Sequence, residues 1–158
     1  MSSPPPPQTS TSTTDPLTHS VIQHYQQGTL LTRILTTLHD TGIDPSSLTP
    51  SHLHSVDQFH IGGLKALTSL LTHLSIQPND RVLDLGCGLG GTCRVIAEEY
   101  PGVSVVGIDI TPEFIEVSNE LTTLVKMDNK IRYVMGSATR VPFEDMSFDL
   151  VLMVYVGE

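Results

Sequence analysis

One stretch, Val82-Leu83-Asp84-Leu85-Gly86-Cys87-Gly88-Leu89-Gly90-Gly91, constrains this chain more than any other. The apolar run Val82 to Leu85 reads as a buried parallel strand, which is covered on both faces and so need not alternate in polarity. A glycine-dense turn follows, and Thr92 to Tyr100 reads as a helix. Strand, glycine turn and helix, in that order, is how an α/β sheet presents backbone N–H groups to a nucleotide-like ligand. Glycine lets the chain bend sharply and lets a ligand approach bare backbone.

Around this stretch the chain falls into three parts. Residues 1–16 are Ser-, Pro- and Thr-rich, include Pro4 to Pro7, and bury too little apolar surface to offset ordering entropy, so a disordered tail is expected. Residues 17–77 read as a helical cap. Val21, Ile22, Tyr25, Leu30, Leu31, Ile34, Leu35 and Leu38 recur at helical spacing, with Gly28 splitting or kinking the run and Gly42 stopping it. Thr49-Pro50 reads as an N-cap and first helical proline, and Leu64, Leu67, Leu71 and Leu74 as the stripe of a further helix after a break at Phe59–Gly63. Residues 78–158 alternate strand and helix. Val103 to Ile108 is the second predicted strand, closed by Asp109. Thr111-Pro112-Glu113 opens a helix running to about Lys126, Ile131 to Met135 is the third strand, and Phe148 to Val156 the fourth.

The formal net charge of −9 leaves no basic stripe to neutralise phosphates, which argues against a nucleic-acid surface or an anionic-membrane binder. No apolar run reaches the length of a membrane span, and no signal peptide is visible. The two cysteines, Cys87 and Cys93, cannot build a disulfide framework, so a reducing compartment, the cytoplasm, is expected. A reactive role for Cys87 lacks an identifiable base beside it. His52, His54 and His60 lie close in sequence, but no cysteine and no H-E-x-x-H pattern supports a metal site, and none is assigned.

The spacing of Gly86, Gly88 and Gly91 also fits G-x-G-x-x-G, so a nicotinamide-dependent dehydrogenase is one reading of the turn. Asp84 argues against it. A carboxylate at the strand end would repel a pyrophosphate in partly dehydrated space. It suits S-adenosylmethionine, which carries a sulfonium and an ammonium and no phosphate, directly or through water. The bland alternative is that Asp84 caps the turn. A second acid, Asp109, stands 23 residues after Gly86, close to the roughly 20 expected of a carboxylate that accepts from ribose hydroxyls. It is equally placed to cap the next helix. The loop Gly136-Ser137-Ala138-Thr139 follows the third strand and should border the same cleft. Ser137 can donate and accept, and the Ala138 N–H can meet an adenine ring nitrogen; a simple turn accounts for the same residues.

Taken together, Leu83 to Gly90, Gly107-Ile108-Asp109-Ile110, and Val141-Pro142-Phe143-Glu144-Asp145-Met146-Ser147-Phe148-Asp149-Leu150-Val151 resemble the first half of a class I S-adenosylmethionine-dependent methyltransferase. Upstream, Tyr25 with Gly28-Thr29-Leu30-Leu31, and Val56-Asp57-Gln58-Phe59-His60-Ile61-Gly62-Gly63, are similar to the sarcosine and dimethylglycine N-methyltransferase-like branch. The resemblance implies an α/β fold: a partial Rossmann-like sheet of four parallel strands in the order 3-2-1-4 behind a helical cap that helps shape the substrate pocket, with Tyr25 and Phe59–Gly63 near the site. It implies S-adenosylmethionine as cofactor and a small amine as methyl acceptor. Asp84 would address the methionine end and Gly86, Cys87, Gly88 and Gly90 the close backbone approach. Asp109, with Ile110 beside it, would take the ribose, and Ser137 and Ala138 the adenine.

Two departures stand out. Ser137 occupies a position where the family commonly has an acid, and a neutral partner holds the adenine amine more weakly. The family's sheet also has seven strands, where four are read here. A catalytically inactive cofactor-binding or interaction module is therefore the alternative function. The fourth strand, left at a sheet edge, is expected to favour self-association. No catalytic base is assigned, because a neutral amine needs none.

Overall fold

The computed structural model describes residues 30–57 and 62–154. The expectations for the tail, for Val21, Ile22, Tyr25 and Gly28, for Phe59 to Ile61 and for Tyr155 onward lie outside the described residues. The chain runs α1 (Leu30–Asp40), a short 3-10 turn (Pro45–Ser47), α2 (Pro50–Asp57), α3 (Gly63–Leu71), β1 (Arg81–Leu85), α4 (Gly91–Glu99), β2 (Ser104–Asp109), α5 (Pro112–Leu124), β3 (Ile131–Met135) and β4 (Leu150–Leu152).

The four strands form one parallel sheet in the order β3-β2-β1-β4. β1 is flanked on both edges, and its Val82, Leu83 and Asp84 are all buried. An apolar run without alternation is what such a central strand requires. α4 packs on β2 and β3, α5 on the same two strands, and the cap docks through α2 on α4 and α1 on α5. The core runs continuously from Ile34, Leu38, Leu53, Leu67 and Leu71 of the cap to Val82, Ile96, Val105 and Leu121 of the sheet layer.

Local chemistry sets the helix ends. Gly42, at φ 85°, donates to the His39 carbonyl while Ile43 donates to that of Leu38, so α1 stops where a left-handed residue turns the chain back. At the start of α2 the Thr49 N–H donates to Nδ1 of His52 at 3.2 Å, which gives that histidine a capping task. α5 begins at Pro112 as predicted, but the Thr111 side chain makes no cap bond; its N–H donates to Asp109 instead.

β4 is shorter than the predicted Phe148–Val156. Among the described residues it pairs with β1 alone, from Val82↔Leu150 to Asp84↔Leu152. By that register Met153 stands opposite Leu85, the last residue of β1, and is not part of the ladder. Among the described residues β4 is a sheet edge, with Val151 and Met153 more than half exposed.

Candidate functional site

The carboxyl ends of β1, β2 and β3 meet at Asp109. The Gly86 and Cys87 N–H groups both donate to the Ile108 carbonyl, at 2.7 and 2.9 Å, which folds the turn back over the end of β2. The Gly88 N–H donates to Asp109 Oδ2 at 3.0 Å and the Thr111 N–H to Oδ1 at 2.9 Å. The Gly136 N–H donates to the Asp109 carbonyl at 2.9 Å and brings in the loop after β3. One residue thus ties the glycine turn, the start of α5 and the third loop together.

Gly86, Gly88 and Gly90 all sit at positive φ, where an L side chain is strained. The last two differ in what surrounds them. A Cβ on Gly88 would meet nothing within 4 Å, so the turn is open on that side, directly beside the Asp109 carboxylate. A Cβ on Gly90 would collide with the Tyr133 ring. Gly88 therefore faces a space a ligand can fill, and Gly90 faces the protein.

Asp84 does not line an open crevice. Its side chain is buried, only 1% of the residue is exposed, and Oδ2 accepts from the Cys93 thiol at 3.3 Å. Burial raises its carboxyl to about pH 7, with the Cys93 hydrogen bond pulling the other way. The sequence argument that placed an anion at the lip of the turn is revised on this point. Asp84 is packed under the turn with its carboxyl raised to about 7 by burial, and the half-buried Asp109 carboxylate is the more accessible of the two.

Cys87 is buried against Gly107, whose missing side chain leaves room for it: a Cβ there would lie 2.8 Å from the Cys87 sulfur. A hydrogen bond with Cys93 favours the Cys87 thiolate, but burial and the Asp84 and Asp109 charges outweigh it and hold the thiol above its ordinary range. Burial pushes Cys93 well up. Both are free thiols in this state.

Ser137, Ala138 and Ile110 are half-buried at the same end of the sheet. The Ser137 hydroxyl lies 2.8 Å from that of Thr139 and accepts from the Thr139 N–H at 3.2 Å, so it also shapes its own loop. No group of three or more His, Cys, Asp or Glu residues among those described can hold a metal ion. No helix among them is long and apolar enough to cross a membrane.

Sequence reasoning missed the residues under the turn. Arg94 donates to the Leu89 carbonyl at 2.6 Å, to Asp57 Oδ2 at 2.8 Å and to Thr122 Oγ1 at 2.9 Å. The Tyr133 hydroxyl lies 3.0 Å from Thr122 Oγ1 and 3.5 Å from the Gly90 carbonyl. The available signal was an arginine set within the apolar run Cys93 to Ala97, on a helix whose other face is polar.

Comparison with known proteins bears on the family and the fold. Residues 82–157 match the family model described as a methyltransferase domain. Ajmaline N-methyltransferase of Rauvolfia serpentina is 36% identical over 77 residues, covering 49% of this chain and 26% of its own length. Sterol 24-C-methyltransferase of Schizosaccharomyces pombe is 36% identical over 85 residues, covering 54% of this chain and 22% of its own. The crystal structure of a putative sarcosine dimethylglycine methyltransferase from Galdieria sulphuraria superposes with a TM-score of 0.53 at 28% identity, over 58% of this chain and 35% of that one. Further solved structures that match hold S-adenosylmethionine or S-adenosylhomocysteine. The chain spans about a quarter of the length of the curated relatives it matches first.

Proposed function

We propose that this chain, whose residues 82–157 match a methyltransferase-domain family model, binds S-adenosylmethionine across the carboxyl ends of β1 to β3 and serves methyl transfer to a small amine. The observation that carries the cofactor reading is the open space over Gly88 beside the Asp109 carboxylate. Each Asp109 oxygen accepts one backbone N–H and retains a further lone pair for a ribose hydroxyl. The Gly88 amide is already engaged by that carboxylate. Ser137 and Ala138 would border the adenine and Ile110 the ribose.

When bound, S-adenosylmethionine supplies a methyl group already activated on a sulfonium. The chain's own part is positioning and exclusion of water. Asp109 fixes the sugar, the bare backbone at Gly86 and Gly88 admits close approach, and buried Asp84 stiffens the turn from below through Cys93. An uncharged amine already carries the free lone pair that displacement of S-adenosylhomocysteine from the methyl would need, and its surplus proton would pass to solvent, so no side chain of this chain would have to act as base. The amine class is favoured by the likeness to N-methyltransferases, whereas a C-methyltransferase of equal identity favours no single acceptor.

Titration calorimetry with S-adenosylhomocysteine tests the reading. Binding in the micromolar range, weakened at least about tenfold by Asp109→Ala, is the expected result. Tighter binding of NAD than of S-adenosylhomocysteine overturns it. Binding without turnover of any amine would instead favour the non-catalytic module.

A further inference from the structure

The cluster under the glycine turn is not used by the cofactor reading. Arg94 in α4 and Asp57 at the end of α2 are each 1% exposed at the side chain, with Nη2 and Oδ2 2.8 Å apart. The same Nη2 donates to the Leu89 carbonyl at 2.6 Å, inside the turn, and Nη1 donates to Thr122 of α5. Tyr133 of β3 lies under Gly90, where its ring leaves no room for a side chain. One guanidinium therefore joins the helical cap, the glycine turn and α5.

We propose that Asp57 and Arg94 are positioning residues that couple docking of the helical cap to the shape of the glycine turn, so that cofactor affinity and the order of α2 rise and fall together. The proposal rests on the cofactor reading above. A buried ion pair is a poor way merely to attach one helix to another, since apolar residues of similar volume do so at no desolvation cost. What apolar residues cannot do is hold the Leu89 carbonyl. That carbonyl belongs to the residue between Gly88, whose N–H meets Asp109, and Gly90, which rests on Tyr133. Without Asp57 the guanidinium keeps its charge in a buried place and must seek another acceptor, at the expense of its grip on Leu89. Reciprocity then follows: if the docked cap favours the ligand-ready turn, a ligand on the turn favours the docked cap by the same factor.

Two measurements on the 158-residue chain test this. In the first, hydrogen exchange is followed with and without S-adenosylhomocysteine. The expected result is slowing of the turn amides and, by at least about fivefold, of the α2 amides. Protection of the turn with no change in α2 overturns the coupling alone; no protection anywhere overturns the cofactor reading, and this proposal with it. In the second, Asp57→Asn is compared with Val103→Ala, a core substitution just before β2, at the end of the sheet away from the turn, with Val103 2% exposed. Asp57→Asn should raise the dissociation constant at least about fivefold while Val103→Ala leaves it within twofold. Equal effects, or none from Asp57→Asn, overturn the proposal. If Asp57→Asn fails to fold, the exchange experiment on the unaltered chain decides.

Discussion

Gly88 and Gly90 stand two residues apart, and the space around each makes their substitutions opposite experiments. Gly88→Ala places a methyl in open space at a left-handed position, so folding should lose only about 1–2 kcal/mol. S-adenosylhomocysteine binding should fall by more than that strain explains. Gly90→Ala adds a collision with Tyr133 to the same strain, and should cost more than ~3 kcal/mol or prevent folding, as measured by urea denaturation. Asp84 gives a pH signature. Its carboxyl is raised by burial from 3.8 to about 7, so the folded chain keeps a proton that the unfolded chain releases. Its contribution to stability is complete below the unfolded value and is lost as pH rises toward 7. Relative to Asp84→Asn, the unaltered chain should lose roughly 3 kcal/mol between pH 4.5 and 7.5, seen as a falling urea midpoint. Equal slopes for both proteins would mean that Asp84 is ionised throughout. The spacing of Asp109 from the turn is readable from the sequence. That Asp84 lies beneath the turn is not, because burial depends on α4 closing over it with Cys93.

Among the elements, β4 is the exposed member. It pairs with β1 alone and leaves its outer backbone edge unpaired among the described residues, with Val151 53% and Met153 57% exposed. An edge of that kind invites pairing with a second chain. We expect this chain to self-associate with rising concentration in sedimentation velocity, and Val151→Lys to shift it toward monomer while changing stability by no more than about 0.5 kcal/mol. A monomer at all concentrations removes the expectation. Element type follows from local pattern throughout: the glycine stop of α1, the proline start of α5 and the non-alternating, mostly apolar β1 are each visible in the residues. Element length is less so. The β4 ladder stops at Leu152, opposite Asp84, although the apolar run in its sequence continues to Val154.

For the molecule as a whole, cofactor binding and folding should be linked. S-adenosylhomocysteine at a hundred times its dissociation constant should stabilise the chain by about 2.7 kcal/mol, read as a raised thermal midpoint, with NAD at the same concentration giving none. A larger effect of NAD would reverse the assignment of the turn. The sheet, its strand order through resemblance, the glycine turn and the acid across from it are legible in the residues alone. These rest on short-range chemistry: strand apolarity, left-handed glycines, and one carboxylate at a fixed distance along the chain. Tertiary structure alone decided which glycine faces open space, that Asp84 is buried, and that Asp57, Arg94, Thr122 and Tyr133 meet under the turn. Those four come from α2, α4, α5 and β3. Residues so far apart in sequence carry no shared local pattern, and only packing, which forces every buried charge to find a partner, brings them to one point.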